Sequence, residues 1–179
     1  MIENEKLYSN GNENIRIIKI GGHTKTELIQ KMNTNKIFLN ELAEKLIASD
    51  YLEISKEPYM VKVIELTVKD LGFSEGAVTS QLFSKAAKLE LELCPLELAL
   101  YLRLAYLNQT EGYNENQLQN QAPYGSITIA SKIFSKDVNF PKGFYLRKIQ
   151  GDLWLRGYVA DEAHVWNSHD RFVFCVTKQ

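Results

Sequence analysis

Residues 143–158 read GFYLRKIQGDLWLRGY, and this stretch decides the fold class. Two runs rich in aromatic and aliphatic residues flank a short turn at Gln150-Gly151-Asp152, which is the pattern of a β-hairpin. Successive side chains of a strand point to opposite sides, so the alternation predicts two different faces. The apolar face carries Leu146, Leu153 and Leu155. The opposite face is aromatic and basic, with Tyr145, Arg147, Trp154, Arg156 and Tyr158.

Strand-like runs are also predicted outside this hairpin. Residues 127–129 precede it and residues 171–176 follow it, while residues 15–20 and 59–68 have the same character in the first half of the chain. In residues 59–68 the alternation slips once, near Val63-Ile64. That slip indicates either a bulge or a strand that is buried on both faces.

Helical patterns gather in the first hundred residues. Thr24 stands three residues before Glu27, the spacing of a capping box, and Asn40 is a suitable N-cap. Helices are predicted over residues 25–32, 41–49, 80–89 and 95–100, followed by a strand at 102–107. We therefore expect an α+β fold, with N-terminal helices and a mostly antiparallel C-terminal sheet of about four to six strands.

Length and composition predict one globular domain. The chain has 179 residues, 45% of them hydrophobic, and a formal net charge of -1, so it carries no global basic charge for nucleic acid. Residues 1–14 are predicted to be a flexible tail, residues 15–179 a single α+β domain, and the Asn/Gln-rich residues 108–124 a surface loop. No secretory signal or membrane-length apolar stretch is visible, which predicts a cytoplasmic protein without a membrane partner.

No cofactor is predicted from the motifs of the chain. Gly21-Gly22 lies between a predicted strand and a predicted helix, but neither phosphate-binding fingerprint follows it. Cys94 and Cys175 are far apart and match no metal-binding spacing. Buried free thiols are therefore predicted for both cysteines, although a disulfide between them is an alternative.

The aromatic and basic face of the hairpin is the first candidate site. Tyr145, Arg147, Trp154, Arg156 and Tyr158 combine rings with guanidinium groups, as surfaces that stack single-stranded nucleic acid do. An ordinary solvent-facing sheet surface would have a similar composition, and a protein partner would also suit it. Arg103 and Tyr106, in the strand predicted at residues 102–107, are another arginine and another aromatic residue of this kind. This face predicts a non-enzymatic binding or accessory module.

The second candidate site is a cluster of titratable residues near the last strand. It contains Asp161, Glu162, His164 and His169, with the two histidines five residues apart. Two imidazoles and a carboxylate are ligands for a divalent metal, so the alternative function is a metal-dependent hydrolase or nuclease. A polar connecting loop explains the same residues, and their spacing matches no zinc signature.

Residues 60–176 also carry an ordered series of short motifs. They include Leu91-Glu92-Leu93-Cys94-Pro95, Gly151-Asp152-Leu153-Trp154-Leu155 and Asp170-Arg171-Phe172-Val173-Phe174. In these motifs the chain resembles a family of uncharacterised bacterial proteins. It departs from them at Ala99-Leu100, where the family favours Gly-Pro, and in its longer Asn/Gln-rich loop. The resemblance implies a bacterial origin and no particular activity.

Overall fold

The computed structural model describes residues 14–112 and 121–177, so residues 1–13 of the predicted tail lie outside the described residues. The helices of the described part are Lys25–Thr34 (α1), Glu41–Ala48 (α2), Thr79–Lys88 (α3) and Leu98–Ala105 (α4). Its strands are Ile15–Ile20 (β1), Ile37–Leu39 (β2), Tyr59–Thr67 (β3), Ala77–Val78 (β4), Leu91–Glu92 (β5), Ile127–Ile129 (β6), Gly143–Ile149 (β7), Asp152–Tyr158 (β8), Val165–Trp166 (β9) and Arg171–Val176 (β10). The predicted mixture of helices and strands is confirmed.

The main sheet differs from the prediction in size and direction. Its described strands follow the order β1-β3-β10-β6-β7-β8-β2, and β5 pairs with β10 as an eighth strand. The β10–β6 and β2–β8 pairs are parallel, so the sheet is mixed rather than mostly antiparallel, and it exceeds four to six strands. The prediction was wrong because β1, β2 and β3 come from the first half of the chain and join the strands of the second half.

The second half of strand β3, from Val63 onward, is buried on both faces. Val61 and Val63 contact the core formed with α1, α2 and α4, whereas Ile64 and Leu66 belong to the core under α3. Its pairing with β1 and β10 continues without a break from Tyr59 to Thr67. The slip in the sequence pattern therefore marks the point where β3 becomes buried on both faces, and not a bulge.

The predicted strand at residues 102–107 is wrong, because α4 continues to Ala105. The sequence of α4 is LALYLRLA, and nearly all of its side chains are buried. A short, almost wholly apolar run has no periodicity that separates a buried helix from a buried strand. In the structure this run forms a helix that packs against both α1 and the sheet.

The β7–β8 hairpin is confirmed, with a turn that is one residue shorter than predicted. Ile149 pairs with Asp152, so Gln150 and Gly151 form a two-residue turn. Their φ angles are +51° and +85°. Positive φ at both positions is the geometry that joins antiparallel strands of natural twist.

Two helix caps are also confirmed. Thr24 and Glu27 form the predicted capping box of α1. The Asn40 side chain accepts a hydrogen bond from the Ala43 N–H at 2.9 Å, and it also bonds both backbone groups of Gly157. Asn40 therefore caps α2 and attaches it to β8 at the same time.

Both cysteines are buried and free, as predicted. The Cys94 thiol donates to the Val173 carbonyl at 3.4 Å. Burial raises the pKa of Cys94, and the neighbouring Cys175 raises it further. Among the described residues, no helix is long and apolar enough to cross a bilayer.

Candidate functional site

The five residues of the predicted aromatic and basic face lie together on one side of the β7–β8 hairpin. Tyr145 is opposite Arg156, Arg147 is opposite Trp154, and Tyr158 is opposite Gly143. All five are half-buried, whereas Leu146 and Leu155 on the other side are fully buried. We call Tyr145, Arg147, Trp154, Arg156 and Tyr158 the Arg/aromatic face.

This face lies beyond the part of the sheet that α3 covers. Helix α3 and the β4–β9 pair pack over the neighbouring strands through a core that includes Leu82, Trp166, Phe172 and Phe174. The other side of the sheet packs against α1, α2 and α4. The outer strands β7, β8 and β2 therefore leave most of their polar and aromatic side partly open to solvent, while Tyr158 packs against the core under α3.

Phe38 extends the face to the edge strand β2. It pairs with Trp154, their ring centroids are 5.1 Å apart, and Phe38 is 44% exposed. Sequence reasoning missed Phe38, because a three-residue strand is too short to show alternation. Its parallel partner is also more than a hundred residues away, so no local signal connects them.

Arg156 is held between two rings of the face. Its Nε donates to the Tyr145 hydroxyl at 2.9 Å, and its guanidinium carbon lies 5.0 Å from the centroid of Trp154. This distance is within the range of cation–π attraction. Arg156 is therefore oriented before any ligand arrives.

The second arginine of the face has a perturbed environment. Burial lowers the pKa of Arg147, Tyr145 raises it, and the positive charge of Arg156 lowers it further. A guanidinium remains protonated at neutral pH despite such shifts. The charges of Arg147 and Arg156 therefore influence each other across this face.

The Arg/aromatic face ends in a pocket of about 440 Å³. Tyr145 and Tyr158 line it together with Asp161, His164 and Trp166. The rings of Tyr158 and Trp166 meet edge to face, with centroids 5.6 Å apart. Burial raises the pKa of Tyr158, so its hydroxyl stays protonated well above neutral pH. The pocket thus offers aromatic walls with a few polar groups.

The residues of the alternative metal site line different pockets. Asp161 and His164 line the pocket beside the Arg/aromatic face, and the His164 ring lies edge to face with Trp166 at 4.8 Å. His169 lines another pocket, where it stacks on Tyr124 at 4.9 Å. Within residues 14–112 and 121–177, no group of three or more His, Cys, Asp or Glu side chains is placed to hold a metal ion.

A buried hydrogen-bond network lies behind Trp154. Arg103 is 0% exposed and donates to the carbonyl of Trp154 at 3.3 Å, to Gln109 Oε1 at 2.6 Å and to the Tyr106 carbonyl. Burial lowers the pKa of Arg103 to about 10. The sequence analysis grouped Arg103 with the residues of the binding surface, but its side chain is buried. It supports the backbone of that surface instead.

Gln109 completes this network from the predicted surface loop. It is 2% exposed and donates through Nε2 to the carbonyls of Gly125 and Leu146 at 2.9 and 3.1 Å. Sequence reasoning assigned Gln109 to the solvent with the other Asn and Gln residues of 108–124. Only the tertiary contacts separate this buried amide from its polar neighbours.

A second buried polar group lies at the far end of the sheet. Glu97 is 3% exposed and accepts hydrogen bonds from the backbone N–H and hydroxyl of Ser55 at 3.1 and 2.7 Å. The Tyr59 hydroxyl donates to the same carboxylate at 3.0 Å. Burial, and then the neighbouring Glu97, raises the pKa of Tyr59 to about 12.

This shift predicts a loss of stability in alkali. In the unfolded chain Tyr59 loses its proton near its ordinary pKa of about 10, whereas the folded protein retains it to about 12. The unfolded state then binds fewer protons, so the free energy of unfolding falls as the pH rises from about 10 to about 12. Urea denaturation across this range measures the fall, and Tyr59→Phe is expected to make it shallower. Parallel curves for the two proteins would contradict the assignment.

Comparison of the chain with protein-family models, curated proteins and solved structures found no match, and the resemblance of residues 60–176 to a bacterial family stays a prediction.

Proposed function

We propose that the protein is a non-enzymatic binding module that holds single-stranded nucleic acid on the Arg/aromatic face. The observation that carries this proposal is the open series of rings across β2, β8 and β7, with a guanidinium held among them. Phe38 contacts Trp154, Arg156 lies over Trp154, and Arg156 also bonds Tyr145.

Such a surface suits unpaired bases better than a duplex. Bases that are free of pairing stack on aromatic rings and on guanidinium planes, and each stacked base contributes about 1–3 kcal/mol. In a duplex the same base faces are covered by their neighbours. Arg147 and Arg156 supply the positive charge that a phosphate backbone needs next to these rings.

The charge of the protein limits the strength of this binding. The net charge is -1, so attraction beyond the face itself is weak. If the two arginines neutralise two phosphates, the logarithm of the affinity falls with the logarithm of salt with a slope of about -1.4. We therefore expect binding at low salt that declines gently as salt is added.

Fluorescence anisotropy with a labelled ten-nucleotide RNA of mixed sequence tests the proposal. At low salt the RNA is expected to bind, and Trp154→Ala is expected to weaken it about tenfold through loss of a stacking platform. The double variant Arg147→Ala/Arg156→Ala is expected to flatten the salt dependence. Arg171→Ala is the matched control, because Arg171 pairs with Glu65 on β3, away from the face.

Three outcomes would overturn this function. No binding of RNA or single-stranded DNA at low salt removes the partner class. Equal effects of Trp154→Ala and Arg171→Ala would place any binding elsewhere. Tighter binding of the duplex than of the single strand would exclude base stacking. The RNA is also expected to remain intact on a gel, whereas its cleavage would contradict a non-enzymatic module.

A further inference from the structure

A larger groove adjoins the pocket at the end of the Arg/aromatic face. Its volume is about 850 Å³, within the range of about 300–1,000 Å³ that small-molecule sites occupy. Thr79, Ser80 and Phe83 of α3 form one wall, and residues 132–142 and 160–163 supply most of the rest. We call this feature the α3 groove.

Several apolar side chains of the α3 groove are exposed to solvent. Leu93, Ile133 and Val138 all line it, and they are 39%, 43% and 68% exposed. Single exposed apolar side chains are normal on a protein surface, but several that converge with Phe83 on one concavity indicate a binding site. The groove is therefore suited to a ligand with an aliphatic body.

A buried lysine lies in the same groove. Lys142 is 8% exposed, and its Nζ donates to the carbonyls of Ser135 and Asp137 at 2.8 and 2.7 Å. An ammonium group has three N–H donors, and these two carbonyls use two of them. Within residues 14–112 and 121–177 no carboxylate lies within ion-pair distance of Lys142. A buried cation without a countercharge is unfavourable, and an anionic ligand would supply that charge.

The other charges of the groove limit the ligand to a single small anionic head. Lys132 and Lys136 line the groove along with Lys142, but Asp161 and Glu162 line it too. Asp161 accepts a hydrogen bond from the Ala163 N–H at 3.0 Å, so its carboxylate is held in a local turn. These two carboxylates would repel a polyanion that filled the groove, whereas a monocarboxylate can place its uncharged tail beside them.

We propose that the α3 groove binds a fatty acid, a monocarboxylate with an unbranched aliphatic chain. Its carboxylate pairs with the Lys142 ammonium, and its chain lies along Phe83, Leu93 and Ile133. This goes beyond the proposed function, because the ligand, the lining and the recognition chemistry differ from those of the Arg/aromatic face. Tyr158 and Asp161 line both the groove and the neighbouring pocket, so the two sites lie side by side.

A homologous series of ligands tests the tail and the head separately. Isothermal titration with octanoate, decanoate and dodecanoate is expected to show tightening of about fourfold for each added methylene, the value for burial of one CH₂. Decanoate is expected to bind at least tenfold more tightly than decanol or decylamine, since these have no charge or the wrong charge for Lys142.

Variants then locate the site. Leu93→Asp is expected to abolish decanoate binding by placing a charge against the chain, while Leu107→Asp is the matched control at a 45% exposed leucine that does not line the groove. Lys142→Met is expected to remove the preference for decanoate over decanol, with Lys62→Met as its control. Leu93→Asp keeps the test decisive even if Lys142→Met fails to fold, because an exposed position tolerates the change.

The proposal fails if affinity does not depend on chain length, or if decylamine binds as well as decanoate. Equal binding by Leu93→Asp and Leu107→Asp would also overturn it, as would binding of a peptide with an apolar C-terminus but not of decanoate. Trp154→Ala is expected to leave decanoate binding unchanged. Decanoate binding to the α3 groove is therefore tested independently of RNA binding to the Arg/aromatic face.

Discussion

Replacing Gly157 by alanine is expected to lower the free energy of unfolding by about 3 kcal/mol, the upper part of the range for overpacking. A Cβ at this position would lie 2.6 Å from the carbonyl carbon of Leu42, and 2.8 Å from the Leu42 oxygen and the Ala43 nitrogen. These are backbone atoms at the start of α2, so no side-chain rotation removes the clash. Either α2 or β8 must move.

Asn40 makes that movement costly. Its side-chain nitrogen donates to the Gly157 carbonyl at 3.0 Å, and its side-chain oxygen accepts from the Gly157 N–H at 2.8 Å. The same oxygen caps α2 through Ala43. A shift of α2 away from β8 would therefore break the attachment of the strand and the cap together, and each of these contributes about 1 kcal/mol.

Gly151→Ala is the matched control for Gly157→Ala. Gly151 has a φ of +85°, but a Cβ there meets nothing within 4 Å. The expected loss is about 1 kcal/mol, from the left-handed backbone alone. Urea denaturation followed by circular dichroism measures both variants. A smaller loss for Gly157→Ala than for Gly151→Ala would show that α2 and β8 are not packed as closely as described.

Gln109→Ala is expected to destabilise the protein by about 4 kcal/mol, because it leaves several buried groups without partners. Arg103 loses its hydrogen bond to Gln109 Oε1, and the carbonyls of Gly125 and Leu146 lose the Nε2 donor. A hydrogen bond to a buried charged group contributes about 1.5–3 kcal/mol, and each orphaned carbonyl costs about 1–3 kcal/mol, partly relieved by relaxation. All of these effects have the same sign.

Gln30→Ala is the control for Gln109→Ala. Gln30 is exposed on α1, where removal of a surface amide changes stability by about 0.5 kcal/mol or less. Chemical denaturation at neutral pH compares the two variants. If Gln109→Ala unfolds at the same denaturant concentration as Gln30→Ala, the Gln109 network does not support the fold in solution.

The local structure of the hairpin followed from its own residues. The alternation in residues 143–158 placed Tyr145 and Arg156 on one face and Leu146 and Leu155 on the other, and the register agrees. Such a pattern is readable because a strand pair with one buried side needs a strict period of two. The helix caps could be predicted because their signal is also local. The side chains of Thr24 and Asn40 each accept a hydrogen bond from the backbone N–H three residues later.

The size and direction of the sheet could not be predicted in this way. Strand β2 has three residues, and its partner β8 begins more than a hundred residues later. Parallel pairing across such a distance leaves no turn signal, and a three-residue strand shows no periodicity. The prediction of a strand where α4 lies failed for a related reason, because a run of buried apolar residues fits a strand as well as a helix.

The candidate sites also have a part that the sequence predicts and a part that depends on tertiary contacts. The sequence by itself determined the Arg/aromatic face, because its five residues lie within one hairpin and share one parity. Only the tertiary structure decided that Phe38 joins this face, that Arg103 and Gln109 are buried behind it, and that His164 and His169 line different pockets. The physical reason is that strand alternation is local, whereas burial and proximity depend on which distant elements pack together.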